Sequence, residues 1–429
     1  MDMYNAISFM GILALMAFAW LLSTNRRKVN LRVICWGGGI QLLLGLLIFR
    51  VPQMRGVFLR LDKVVKALIE AAKGGQHLVF GSVGVDTKDF FVLAFHALPL
   101  IIVFSAIMAL LYHWRIMPVI IRGFAWFFSR VMRVSGAESL CAASNIFVGI
   151  ESATAVRPYL RAMTRSEFCT ILAAGMATVA SSTLAVYVGY LKELFVGIAG
   201  HLISASVLSA PAAIVLSKIL LPETEQPATL GEKVVVHYER EPGAFAAIIS
   251  GSMAGVKLVV GIVALLIAFL GIVGMVDLGI GAATAPFGAK LTLVQILGYV
   301  MRPFAIIIGV PWNDAAHVGN LLSMRLVATE IPAYKTLAEM ITTGQFAHAR
   351  SPVIAAYALC GFAHVASLAI FVGGMAALVP SRRKDLAAVG PRALLAATLA
   401  CLMTGAVAGA FYHTPETIIK VATTAAAGP

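Results

Sequence analysis

The chain has 429 residues, of which 60% are hydrophobic and 12% charged, with a net charge of +13 and a mean hydropathy of +0.91. That balance excludes a soluble cytosolic enzyme, because too few polar side chains remain to cover a globule. A basic charge can mark a nucleic-acid binder, but here the Lys and Arg residues sit between apolar runs and no basic cluster is interleaved with aromatics, which excludes nucleic acid as a partner.

The first apolar run, 10–22, follows Asp2 and precedes Arg26, Arg27 and Lys28, the reverse of the charge order of a secretory signal. It predicts a retained span that enters from outside. A membrane-crossing helix needs roughly 20 apolar residues. Eight windows qualify, at 6–23, 33–49, 90–112, 168–190, 195–220, 245–276, 353–378 and 393–411. Between the second and third, Arg60, Lys63, Lys66 and Lys73 alternate with apolar positions at helical spacing, which predicts an amphipathic helix at the interface. Basic residues gather at 26–32, 115–133 and 382–392, which the positive-inside rule makes cytoplasmic. Both termini are then outside, and the polar stretch 223–241 is cytoplasmic. Cys35, Cys141, Cys169, Cys360 and Cys401 are scattered without metal or redox spacing and read as small hydrophobes.

Each half of the chain repeats one order: a long span, an amphipathic helix, an interrupted apolar segment and two long spans. The amphipathic pieces are 120–134 and 291–308, and the interrupted segments are 139–160 and 310–341. The two copies begin on opposite sides, so they form an inverted repeat. Non-helical backbone survives at membrane depth only inside protein or around a wet cavity. Paired re-entrant segments therefore predict a transporter with a site near the midplane. The expected division is 1–134 and 222–309 as a scaffold, with 135–221 and 310–429 as a moving transport domain.

Ionisable groups in apolar segments are costly, so each is a candidate for function. The first interrupted segment carries Asn145, Glu151 and Ser152, and the second carries Asp314, Arg325 and Glu330. Glu330 reads as a substrate or coupling group, with an ion pair to Arg325 as the alternative. Asp314 reads as a helix cap and Trp312 as an interfacial anchor. Glu138 reads as a first-turn acid at a helix N-terminus. In the seventh span His364 and Ser367 share a face one turn apart. Neutral oxygens from Asn145, the backbone near Val148, and Ser182 suit a monovalent cation if the first hairpin packs on span four. There is no HExxH, no GxSxG and no triad grouping, so an enzyme is not expected.

These residues resemble the concentrative nucleoside transporter family. The likeness is carried by 95–102 (FHALPLII), Asn145-Ile146-Phe147-Val148-Gly149, Arg157-Pro158-Tyr159-Leu160, 204–212 (SASVLSAPA), Leu221-Pro222-Glu223-Thr224-Glu225, Gly309-Val310-Pro311-Trp312 and 357–363 (YALCGFA). The resemblance implies an all-α polytopic membrane protein with eight transmembrane helices, two re-entrant hairpins and an elevator motion. It also implies a homotrimer in a bacterial inner membrane, importing nucleosides on a sodium or proton gradient without other cofactor. Carried over by motif, Glu330 and Ser367 bind ribose hydroxyls, Phe362 lines the site, and Asn145, Val148 and Ser182 hold sodium. The chain departs from the family after Gly149, where Ile150-Glu151-Ser152-Ala153-Thr154 stands in place of the family's Gln-Thr-Glu-Ala-Pro and the run is one residue shorter. Glu151 and Ser152 then face the base, with Ile150 in place of the glutamine. A second departure puts His364 where the family has asparagine. The alternatives are an ion-coupled carrier of a nucleobase or another ribosyl compound and, outside transporters, a membrane receptor or scaffold.

Overall fold

The computed structural model describes residues 2–84, 92–232, 234, 241–288 and 290–413. They form seventeen α-helices joined by short turns and 3-10 segments. The first helices are α1 (Met3–Leu21), α2 (Leu31–Arg50), α3 (Pro52–Phe80), α4 (Leu93–His96), α5 (Leu98–His113) and α6 (Ile116–Met132). Helix α3 is the predicted amphipathic element. Its buried positions Phe58, Asp62, Val65, Ile69, Ala72 and Gln76 recur every three or four residues, one stripe of a helix. Arg60 and Lys63 point away from that stripe and are exposed.

Two structurally parallel series follow. In the first, α5 and amphipathic α6 lead into a hairpin made of α7 (Gly136–Asn145) and a 3-10 arm (Ile150–Ala162), then α8 (Arg165–Ala177), α9 (Ser181–Leu191) and α10 (Ile198–Leu220). In the second, α11 (Ala244–Thr284) and α12 (Leu293–Ile307) lead into a hairpin of α13 (Trp312–Val327) and α14 (Glu330–Thr342), then α15 (Arg350–Leu359), α16 (Val365–Leu378) and α17 (Arg383–Phe411). Among the described residues, seven stretches are long and apolar enough to cross a membrane.

The structure departs from the sequence expectation at two of the spans. The fourth, predicted continuous over 168–190, unwinds at Thr178–Ala180, and the seventh, predicted over 353–378, unwinds at 360–364. Hydropathy registers these breaks as apolar sequence, because it measures side chains and is blind to backbone hydrogen bonding. The breaks occupy matching places in the two repeats and touch each other. Gly361 has φ +146°, and a Cβ there would stand 2.6 Å from the Ala177 carbonyl oxygen, so only glycine permits the approach. From α17 the Cys401 thiol reaches both breaks, donating toward the Ala177 carbonyl at 3.6 Å and the Cys360 carbonyl at 3.5 Å.

Around this centre α8, α10 and α17 are almost wholly enclosed, whereas only 6% of the most apolar window of α11 is buried. Helix α11 joins the bundle by packing on α5 through Gly251 and Gly255, four residues apart, where any Cβ would meet the α5 backbone at 2.7 Å. Small residues at this spacing let membrane helices approach closely.

Each hairpin is anchored by an acid in its first turn. Glu138 completes a capping box with Ser135 and pairs with Lys218 on α10, Nζ to Oε1 at 2.5 Å. Asp314 does not cap its own helix as expected. It instead accepts from the Ala347 and His348 backbone amides at 2.8 and 3.0 Å and from the Ser351 hydroxyl, fastening hairpin 2 to the start of α15. Trp312 is exposed, with the Arg302 guanidinium 4.7 Å above its ring.

Candidate substrate and ion site

The hairpin tips and the two breaks converge on a cavity of about 620 Å³, within the roughly 300–1,000 Å³ usual for small-molecule sites. One wall is Phe147, Val148, Ser152, Ser182, Thr329, Glu330, Phe362, His364 and Ser367; the facing wall comes from α5 and α11, with Ser105, Ala109, Gly251 and Ala254.

Glu330 opens α14, the second arm of hairpin 2, and is 3% exposed. Its carboxylate at a helix N-terminus gains from the unpaired amides of the first turn. Oε1 accepts from the Tyr187 hydroxyl at 2.8 Å, and Tyr187 in turn stacks on Tyr334 with ring centroids 4.5 Å apart. Oε2 lies 3.0 Å from His364 Nε2, but the approach is not aligned as a hydrogen bond, so this oxygen keeps its accepting capacity. Among the described residues, the Thr329 hydroxyl beside it is likewise buried without a partner. Two unfilled polar atoms on one cavity wall are what a polar solute would satisfy.

His364 is the N-cap of α16, and its Nδ1 accepts the Ser367 amide at 3.2 Å. A nitrogen facing an N–H must be the unprotonated one, so Nε2 carries the proton. That N–H is taken by Ser367 Oγ, 2.7 Å away, and lies beside Glu330 Oε2 without an aligned hydrogen bond to it. An asparagine at this position could likewise accept at the cap and donate from its amide, over a shorter reach than the imidazole. The alternative partner for Glu330 is excluded: the Arg325 guanidinium turns away and donates to the Ala358 carbonyl at 2.6 Å.

The tip of hairpin 1 docks on the first break. The Phe147 carbonyl accepts from both the Ser181 amide, at 3.0 Å, and the Ser181 hydroxyl, at 2.8 Å. Val148 and Ser182 line the cavity beside this contact, while Asn145 lies just behind, its Oδ1 accepting from the Ser152 hydroxyl at 2.7 Å. The carbonyl ends of α7 and α8 meet here. Neutral side-chain oxygens and helix C-termini form a donor set of the kind that suits a hard monovalent cation. The side chains of Ile150 and Glu151 lie outside the described residues, although the backbone there forms the start of the 3-10 arm. Sequence reasoning missed Tyr187 and assigned Thr329, a polar neighbour of Glu330 in the second interrupted segment, no role. A tyrosine inside the apolar run Ala185-Val186-Tyr187-Val188 was the available signal, and the adjacent Glu330 marked Thr329.

The pattern described as Na+ dependent nucleoside transporter C-terminus matches residues 201–409, its N-terminal counterpart matches 10–83, and the pattern described as Nucleoside recognition matches 94–194. The Uncharacterized transporter YutK of Bacillus subtilis is 37% identical, the match covering 94% of this chain and 98% of that protein. The chain belongs to the sodium-dependent, or concentrative, nucleoside transporter family. Solute carrier family 28 member 3 of Mus musculus is 36% identical over 96% of this chain, which spans 60% of the length of that relative. The solved structure of CNTnw in an inward-facing substrate-bound state superposes with a TM-score of 0.87 at 35% identity, covering 95% of this chain and 98% of the other. A doubly substituted variant of CNTnw in an outward-facing state superposes almost equally, with a TM-score of 0.86 at 34% identity, covering 96% of this chain and 98% of the other. The fold is therefore that of an elevator-type transporter of this family, whose members are carriers and not enzymes.

Proposed function

We propose that this protein imports nucleosides across a bacterial inner membrane, driven by a sodium gradient. The observation that carries the reading is Glu330, which lines a cavity built jointly by both hairpin tips and both helix breaks and, among the described residues, keeps one carboxylate oxygen without a hydrogen bond. A carboxylate with a free oxygen accepts hydrogen bonds from ribose hydroxyls, and the Ser367 hydroxyl and His364 Nε2–H complete a sugar-binding wall. Phe362 covers the same space with an apolar ring. Ser152, and Glu151 with Ile150 beside it in sequence, stand on the hairpin that would meet the base.

Asn145, the Val148 carbonyl and Ser182 would hold the coupling sodium ion. Bound there, the cation would neutralise the carbonyl ends of α7 and α8 and fix hairpin 1 on the first break, so that substrate meets a closed tip. Sodium is favoured over the proton because the oxygens at this place are neutral and the Nδ1 of His364 is committed to its cap.

In this reading, 135–221 and 310–429 form the moving transport domain and 1–134 with 222–309 the scaffold. The cavity lies between the two, bounded on the scaffold side by the close α5–α11 pair. Helix α11 presents its apolar side outward, consistent with lipid and with a homotrimer, and both termini are placed in the periplasm.

Counterflow of labelled uridine and adenosine in proteoliposomes, with sodium and proton gradients imposed separately, tests the proposal. The expected result is uptake that follows the sodium gradient. Absence of gradient-dependent uptake for every nucleoside would overturn it.

A further inference from the structure

Arg325 lies in the last turn of α13 and is 1% exposed. A buried guanidinium usually has a carboxylate partner, since removing an ion from water costs several kcal/mol. Among the described residues none lies within 4.0 Å of it, and its Nε is buried without a partner. Nη1 instead sits on the carbonyl of Ala358, the penultimate residue of α15, just before the second break. The carbonyl end of a helix carries roughly half a negative charge. The guanidinium therefore occupies the place in hairpin 2 where a cation would be drawn to the end of a broken span.

The first repeat has the same construction without the charge. Asn145 ends α7 as Arg325 stands in the last turn of α13, and α8 stops at Ala177 before its break as α15 stops at Leu359. Asn145 precedes Glu151 by six residues, and Arg325 precedes Glu330 by five. In hairpin 1 the residues at the tip and at the break, 146–149 and 178–182, include no charged side chain. One repeat thus offers neutral oxygens to an outside cation, and the other supplies a cation of its own.

We propose that Arg325 is a tethered cation, filling in the second repeat the role that the coupling ion has in the first. It holds hairpin 2 against the α15–α16 break without a second ion, so one sodium per cycle suffices. Arg325 is a positioning residue in this account, acting through the hairpin that carries Glu330. The inference rests on the sodium-coupled reading given above.

The test compares the full-length protein with Arg325→Gln and Arg325→Lys. Thermal unfolding in detergent is followed in choline chloride and in sodium chloride, and sodium activation of uptake is followed in proteoliposomes. The wild type and Arg325→Lys are expected to gain equal stability from sodium, with a Hill coefficient of about 1. In Arg325→Gln the vacated carbonyl end recruits sodium, so the stabilisation by sodium is larger and the Hill coefficient rises toward about 2. A Gln variant with the wild-type sodium response in both measurements overturns the proposal. Should the Gln variant fail to fold, the Lys variant decides: a wild-type response supports the tethered charge, and the same failure overturns it. A wild type whose stability and uptake both ignore sodium overturns the underlying sodium reading, and this inference with it.

Discussion

Tyr187 and Glu330 come from opposite repeats and meet hydroxyl to carboxylate at 2.8 Å. This contact fixes Oε1 and so determines that Oε2 is the oxygen left for solute. A hydrogen bond to a charged group contributes roughly 1.5–3 kcal/mol. Tyr187→Phe is therefore expected to weaken nucleoside binding about tenfold and to lower the melting temperature by a few degrees, with the ring stack on Tyr334 preserved. Calorimetric titration of the purified protein checks this, and binding equal to wild type would mean that Glu330 is oriented by other groups.

The crossing of the two breaks makes Gly361 intolerant of a side chain. Gly361→Ala would place a Cβ at φ +146° and 2.6 Å from the Ala177 carbonyl oxygen. Strained backbone alone costs about 1–3 kcal/mol, and the overlap adds to it. A marked fall in melting temperature is expected. Gly373→Ala on α16, where a Cβ meets nothing within 4 Å, is the control and should be neutral or slightly stabilising. Equal melting temperatures for the two variants would show that the breaks do not depend on each other.

What the sequence disclosed followed from periodicity and from the placement of charge. The paired interrupted segments announced an inverted repeat, and Glu330, His364 and Ser367 stood out as polar groups in apolar surroundings; together with Phe362, which the family resemblance alone pointed to, they line one cavity. The breaks at 178–180 and 360–364 stayed hidden because Val179, Ala180, Cys360 and Phe362 keep hydropathy high while the backbone unwinds. Partnerships across long separations were equally invisible. Lys218 with Glu138, Tyr187 with Glu330, and Cys401 with both breaks depend on how spans fold together. Arg325 shows the opposite error: five residues from Glu330 in sequence, it is separated by the hairpin turn and pairs with another helix.

Docking of hairpin 1 on the first break runs through Ser181, whose amide and hydroxyl both reach the Phe147 carbonyl. Ser181→Ala removes the hydroxyl and keeps the amide, a loss of about 1 kcal/mol. If sodium binds beside this contact, its half-saturating concentration should rise about fivefold, with maximal uptake nearly preserved. Sodium-activation curves in proteoliposomes give the answer. An unchanged half-saturation would separate the tip contact from ion binding.

Buried charge at the base of hairpin 1 sets a different dependence. Lys218 pairs with Glu138 at 2.5 Å and Glu223 at 3.1 Å, and donates to Ser166 at 3.0 Å, tying α7, α8 and α10 together. Lys218→Met leaves Glu138, wholly buried, without its counter-charge, a loss of about 3–5 kcal/mol for a pair broken on one side. Lys218→Met combined with Glu138→Gln should recover much of it, because a neutral amide can keep the capping contact. Melting temperatures of the single and double variants provide the comparison, and additive losses would refute the pairing.

His364 stands where the family resemblance leads one to expect asparagine, and it should be replaceable by that residue. As the α16 cap it accepts the Ser367 amide through Nδ1, and its Nε2 lies 3.0 Å from Glu330. Asparagine is among the strongest N-caps and carries a carbonyl to accept and an amide to donate. His364→Asn should therefore retain sodium-driven uptake within a few-fold. His364→Ala loses the cap, about 0.5–2 kcal/mol, together with the donor facing Glu330, and should impair both stability and nucleoside affinity. Uptake and melting measurements on the pair distinguish the roles. If Ala were tolerated and Asn were not, the imidazole would be filling space in the cavity and its hydrogen bonds would be incidental; if Asn works and Ala fails, the cap and the donor are what transport requires.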